Sequence, residues 1–181
     1  MNSYLVRHHP GMVSATTHLG RSNRSLVRRG SGIPESWPNP WTDLTSRTDL
    51  MLERVLTLPE GMYGYWSVCS RVILIREGLT VVERRCVLAH EMAHVDVGHH
   101  RRTGADAALL AAIQEREADL MAARRLIALP MLAVVADLNL QTAAKLLFVT
   151  PELLTERIRH LHPSERHYLR RAIERNRRDT A

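Results

Sequence analysis

Little in this chain of 181 residues could crosslink it or span a membrane. Two cysteines, Cys69 and Cys86, are too few for a disulfide framework and fit a reduced, cytoplasmic setting. No run of about 18 apolar residues occurs, and the N-terminus lacks the apolar stretch of a secretory signal, so neither a membrane span nor export is indicated. Aromatic residues make up 4% of the chain, with one Phe, which leaves the core to Leu, Val, Ile and Ala. Lysine is nearly missing: of 25 Lys and Arg residues, only Lys145 is a lysine.

At 45% hydrophobic, the chain can still bury one core. Its net charge of +6 is unevenly placed, with five Arg against one acid in residues 1–36 and eight Arg against five acids in 151–181. Such ends suit an acidic partner or nucleic acid, although a solvated basic surface accounts for them as simply. Residues 1–36 show no periodicity and read as a basic, flexible leader. A core is expected over 37–130 and a basic helical subdomain over 131–181.

From Thr42 to Leu58, the apolar residues Leu44, Leu50, Met51, Val55 and Leu58 recur at helical spacing and predict a helix stopped by Pro59. Residues 63–68 and 71–76 are short, aromatic or β-branched segments bounded by turn residues, and predict a β-hairpin. The second strand is apolar on both faces, as for a strand covered on each side. Thr80-Val81-Val82-Glu83 is a capping box that opens a helix, and Gly98 is a natural terminator. After a polar loop at 99–104, Asp106 is placed to cap a long Ala- and Leu-rich helix ending before Pro130, and Met131–Leu138 reads as a short helix. Leu140 to Leu161 reads as helix, tight turn and helix, followed by a last basic helix from Ser164. The expected class is α+β, mainly helical.

The helix expected between that capping box and Gly98 carries His90-Glu91-Met92-Ala93-His94. Histidines four apart lie on one helical face and can hold one metal ion, while Glu91, one step around, can reach a water on it. A catalytic zinc takes three protein ligands and keeps a fourth position open, so a third donor is needed. In the long helix, Ala108, Ala111, Ala112, Glu115, Ala118, Asp119, Ala122, Leu126 and Leu129 share an apolar face of mostly small residues, charged only at Glu115 and Asp119. Glu115 is the favoured third ligand. Asp119, one turn on, is placed to accept the ring N–H of a ligating histidine. Glu117 points away and fits an ordinary ion pair better. His100 would serve a His-Glu-x-x-His-x-x-Gly-x-x-His site, but Val97 stands where that pattern needs Gly. His99 and His100 read as solvated loop residues, and Cys69 and Cys86 as small structural ones. In this chemistry the zinc ion polarises the scissile carbonyl, and Glu91 is the general base.

Glu83-Arg84-Arg85-Cys86-Val87-Leu88-Ala89-His90-Glu91-Met92-Ala93-His94, then Gly98-His99-His100 and Glu115-x-Glu117-Ala118-Asp119, resembles the ImmA/IrrE family of metallopeptidases. Leu58-Pro59-Glu60-Gly61-x-x-Gly64 and Ala122 to Pro130 are similar to its actinobacterial or phage branch, and the likeness spans roughly residues 41 to 170. The resemblance implies a gluzincin-like, zincin-type core with one Zn²⁺ on His90, His94 and Glu115, and Glu91 as base. It implies an intracellular substrate, commonly a helix-turn-helix repressor of a phage or mobile element. It also implies that strand 71–76 lies beside the cleft and pairs with an extended substrate.

Ala144 to Ile158 keeps helix-turn-helix spacing at most positions, but Phe148 stands where the turn usually has Gly, because the turn wants a positive φ. The second helix offers Glu152, Thr155, Glu156 and Arg159, a mixed set for DNA, so packing or substrate docking is the stronger reading. A zinc-bound regulatory or DNA-binding protein without proteolysis is the alternative function.

Overall fold

The computed structural model describes residues 37–100 and 105–179; the leader read over 1–36 and positions 101–104 of the polar loop lie outside them. In chain order the elements are α1 (Pro40–Ser46), β1 (Met51–Val55), β2 (Gly64–Ser67), β3 (Val72–Arg76), α2 (Val81–Val97), α3 (Ala107–Leu126), α4 (Leu129–Val134), α5 (Leu140–Leu146), α6 (Pro151–Arg159) and α7 (Pro163–Asp179). Over the described residues the architecture is α+β and mainly helical, with one three-stranded sheet. Among the described residues no helix is long and apolar enough to cross a membrane.

The run from 42 to 58 is not one helix. α1 stops at Ser46, Arg47 turns extended at φ −98° and ψ 101°, and residues 51–55 form a strand instead. β1 lies parallel to β3, with Met51 opposite Val72 and Val55 opposite Arg76. The helical spacing merged two elements, because the strand takes its hydrogen bonds from a partner far along the chain that local spacing does not report. The expected hairpin is present, with β2 antiparallel to β3 and Gly64 opposite Ile75. Arg71 makes its turn at φ 53°, its guanidinium bonded to Asp49 at the entry to β1.

The strand order β1-β3-β2 makes β3 central. Both its edges are therefore occupied, and the outer strand beside the helices is β2. This corrects the expectation that 71–76 would pair with an extended substrate. Ile73 and Ile75 are buried while Val72 and Leu74 are half-buried, so one face of β3 is covered more fully than the other.

α2 starts and stops where its residues dictate. The Thr80 hydroxyl accepts from the Glu83 amide, the Glu83 carboxylate accepts from the Thr80 amide, and Gly98 closes the helix at φ 75°. Every residue from Leu88 to His94 is buried, because α2 separates two apolar clusters. Leu88 and Met92 join the sheet-side cluster with Leu44, Trp66, Ile73 and Ile75. Cys86 and Ala89 join a helical cluster that runs through Ala122, Leu126, Leu147 and Leu154 to Leu169 and Ala172.

Asp106 does stand at the start of α3, but its side chain makes no capping bond there. α4 starts ahead of Met131, with Pro130 in its first turn, where a missing N–H costs nothing. α5 and α6 fall as expected, and the turn between them keeps its positive φ on a non-glycine, Phe148 at 52°. The Arg85 guanidinium, fully buried on α2, donates to the carbonyls of Phe148 at 2.6 Å, Leu147 at 3.3 Å and Pro38 at 2.8 Å, and so holds that turn.

Candidate metal centre

His90 and His94 project from one face of α2 with their Nε2 atoms 2.9 Å apart. Glu115 meets them from α3, with Oε2 3.2 Å from His90 Nε2 and Oε1 3.5 Å from His94 Nε2. All three side chains are buried, and their donor atoms lie within 4.8 Å of one another. The small residues of α3 permit this approach: Ala118, Ala122 and Ala123 are fully buried. Glu117 does not join the group; its side chain is 52% exposed and reaches His99 instead.

Asp119 Oδ1 stands 2.8 Å from His90 Nδ1. A carboxylate there accepts the Nδ1–H, which leaves the His90 Nε2 lone pair facing His94 and Glu115. Burial opposes a charge on His90, yet the carboxylates of Asp119 and Glu115 outweigh it and lift its pKa well above the ordinary histidine value. Burial holds His94 below that value, even though the Glu115 carboxylate pulls the other way and His90 adds to the lowering. A tetrahedral ion with bonds of about 2.0–2.1 Å needs donors about 3.4 Å apart. The separations of 2.9, 3.2 and 3.5 Å bracket that value, and two nitrogens and a carboxylate are a usual zinc donor set. The residues fit a metal ion.

Glu91 is buried beside this group, and Gly64 of β2 is pressed against it. Two cavities flank Glu91. One of about 570 Å³ is lined by Tyr65, Ser67, His94, His100, Ala111 and Gln114. The other, of about 930 Å³, lies between α2, α3 and α6 and is lined by Tyr63, His90, Arg116, Thr155, Glu156 and Arg159. Tyr63 is further held by Arg76, whose guanidinium lies 4.4 Å from its ring centre.

His99 is not a solvated loop residue. It is 7% exposed, with Nδ1 2.9 Å from His94 Nδ1 and Nε2 3.2 Å from Glu117 Oε2. Its companion His100 is exposed, as expected. The Cys86 thiol is buried, and burial pushes its pKa up to about 11, which suits a packing role. Gly64, quoted from the sequence only as part of the family likeness, and His99, read there as a solvated loop residue, are two residues at the site whose place was not read from the sequence.

Comparison with known families matches residues 49–159 to the family described as Peptidase_M78, IrrE N-terminal-like domain. No curated protein and no solved structure matches the chain.

Proposed function

Because the chain belongs to the Peptidase_M78 family of IrrE N-terminal-like domains, we propose that it is a zinc-dependent endopeptidase with a zincin-like core. The observation that carries this reading is the convergence of His90 Nε2, His94 Nε2 and the Glu115 carboxylate next to the buried Glu91. In it, His90, His94 and Glu115 hold the ion, and Asp119 fixes the ring of His90. A bound Zn²⁺ supplies Lewis acidity toward a carbonyl oxygen and toward water. Glu91, standing between the two cavities, takes the proton of the attacking water on its carboxylate and delivers it to the departing amine. The buried setting of Glu91 keeps bulk water from competing for that proton.

The two cavities on either side of Glu91 suit a polypeptide lying across the site, and β2 offers it a strand edge. The substrate we favour is a separate helix-turn-helix repressor of a phage or mobile element, met in the cytoplasm. Both cysteines are free thiols, which agrees with that compartment. The described residues from 37 to 130 then form the catalytic core, and α5, α6 and α7 form its helical wall.

The alternative reading gives α6 to DNA. Against it, Glu152, Thr155, Glu156 and Arg159 line the larger cavity beside His90 and Glu91. These are the residues a recognition helix would present to base edges, and here they border the cleft. Substrate docking is the use that placement favours.

The deciding experiment co-expresses the repressor with wild-type or Glu91→Gln protein and counts zinc per chain. Wild type should carry about one zinc and yield defined repressor fragments, and a chelator should stop cleavage. Glu91→Gln should keep its zinc and cleave about 10²–10⁴-fold more slowly. Hydrolysis unchanged in that variant would end the peptidase reading. A duplex shift indifferent to position 91 but steeply salt-dependent would favour DNA instead.

A further inference from the structure

We propose that His99 and Glu117 form an orienting chain behind His94, the counterpart of Asp119 behind His90. The inference rests on the metal site proposed above. Its origin lies in how α2 ends. The Gly98 amide donates to Val95 O at 3.2 Å, and the His99 amide reaches back to His94 O at 3.0 Å. This pair of bonds is a Schellman ending, which lays the side chain two positions past the helix against the side chain one turn before its end. In most helices that contact joins two apolar residues. Here it joins two histidines, with ring centres 5.0 Å apart.

The hydrogen-bond directions then follow. If the His94 Nε2 lone pair faces Glu115 and His90, its ring proton sits on Nδ1. His94 Nδ1–H donates across 2.9 Å to His99 Nδ1, which must be unprotonated. The remaining proton of a neutral His99 lies on Nε2 and donates across 3.2 Å to Glu117 Oε2. Each proton has one acceptor, and the chain ends on a carboxylate. Reversing it, with Nδ1–H on His99, would put the His94 proton on Nε2, where it would block the site. His99 and Glu117 are thus positioning residues: they keep the His94 lone pair aimed inward.

The test uses the full chain labelled with ¹⁵N-histidine, read by NMR with and without zinc, together with zinc affinities from chelator competition. In the zinc-loaded wild type, His94 should carry its proton on Nδ1 and His99 on Nε2. His99→Leu should weaken zinc binding about 10–100-fold. His99→Asn, whose amide oxygen can accept from His94 Nδ1, should recover most of that loss. Glu117→Leu should cost less than His99→Leu, because Glu117 is the exposed end of the chain. A proton on His99 Nδ1 in the zinc-loaded protein, or zinc held by His99→Leu as tightly as by wild type, overturns the proposal. If His99→Leu fails to fold, the wild-type tautomers still decide. Wild type that binds no zinc would sink this inference and the metal site together. Wild type that binds zinc with these tautomers yet cleaves nothing would sink the peptidase reading alone.

Discussion

A methyl group at position 64 would meet Glu91 Oε1 and Val87 Cγ1, each at 2.6 Å. Glycine is required there by close approach, since β2 passes directly over the step of α2 that bears the proposed base. Gly64→Ala should therefore leave the zinc content intact while pushing the Glu91 carboxylate out of line. A displacement of about 1 Å can cost about 10²-fold in rate, so kcat/KM should drop by that order with zinc stoichiometry unchanged. Equal activity in the alanine variant would show that the contact does not position Glu91. Placement at this scale was only half readable beforehand. His90, Glu91 and His94 stand out by spacing, and Glu115 and Asp119 by being the only charges on a small-residue face. Gly64 gives no such signal, because its need arises from a helix packed on it from elsewhere in the chain. His99 did give one: it directly follows a helix-ending glycine and so folds back over the last turn, where His94 lies.

Among the elements, α2 explains why the site and the C-terminal helices share one scaffold. Its N-terminal half carries Arg85, which ties together Pro38 and the turn between α5 and α6, and its C-terminal half carries the histidines. Caps and turn residues made α2, the β2–β3 hairpin and the α5–α6 pair legible, because each is specified within a few residues of its own ends. β1 was not legible, since its parallel pairing with β3 is non-local. Arg85 was not legible either: in sequence it is one arginine of a consecutive pair, and only packing distinguishes it from half-buried Arg84. Replacing Arg85 with Leu removes the donors of three carbonyls and should lower stability by about 2–4 kcal/mol. Chemical denaturation would measure it, with the midpoint falling and the zinc site still assembled in the folded fraction. A loss below about 0.5 kcal/mol, the size of an ordinary surface change, would mean that the Phe148 turn holds without it.

For the whole molecule, the helical cluster closes through Arg157, which is 4% exposed. From α6 it donates to Ile127 O at the end of α3, at 3.1 Å, and to both carboxylate oxygens of Glu165 at the start of α7, at 3.2 and 2.8 Å. The bonds from Arg157 hold the Glu165 carboxyl at about 2, against an ordinary 4.5. Because the folded value is the lower one, the pair stabilises the fold fully above about pH 4.5. That stabilisation is lost as the pH falls through the window toward 2. Screened by solvent around Glu165, the contribution is about 1 kcal/mol, or about 2–4 °C in Tm for a chain of this size. Comparing thermal unfolding of wild type and Glu165→Gln isolates it, because the general charging of the chain in acid affects both alike. Wild type should melt higher at pH 7, the gap should narrow below pH 4.5, and it should close near pH 2. No gap at pH 7 would mean that Arg157 closes the helical layer through Ile127 alone, and a gap that persists unchanged at pH 2 would mean that Glu165 acts through something other than its charge.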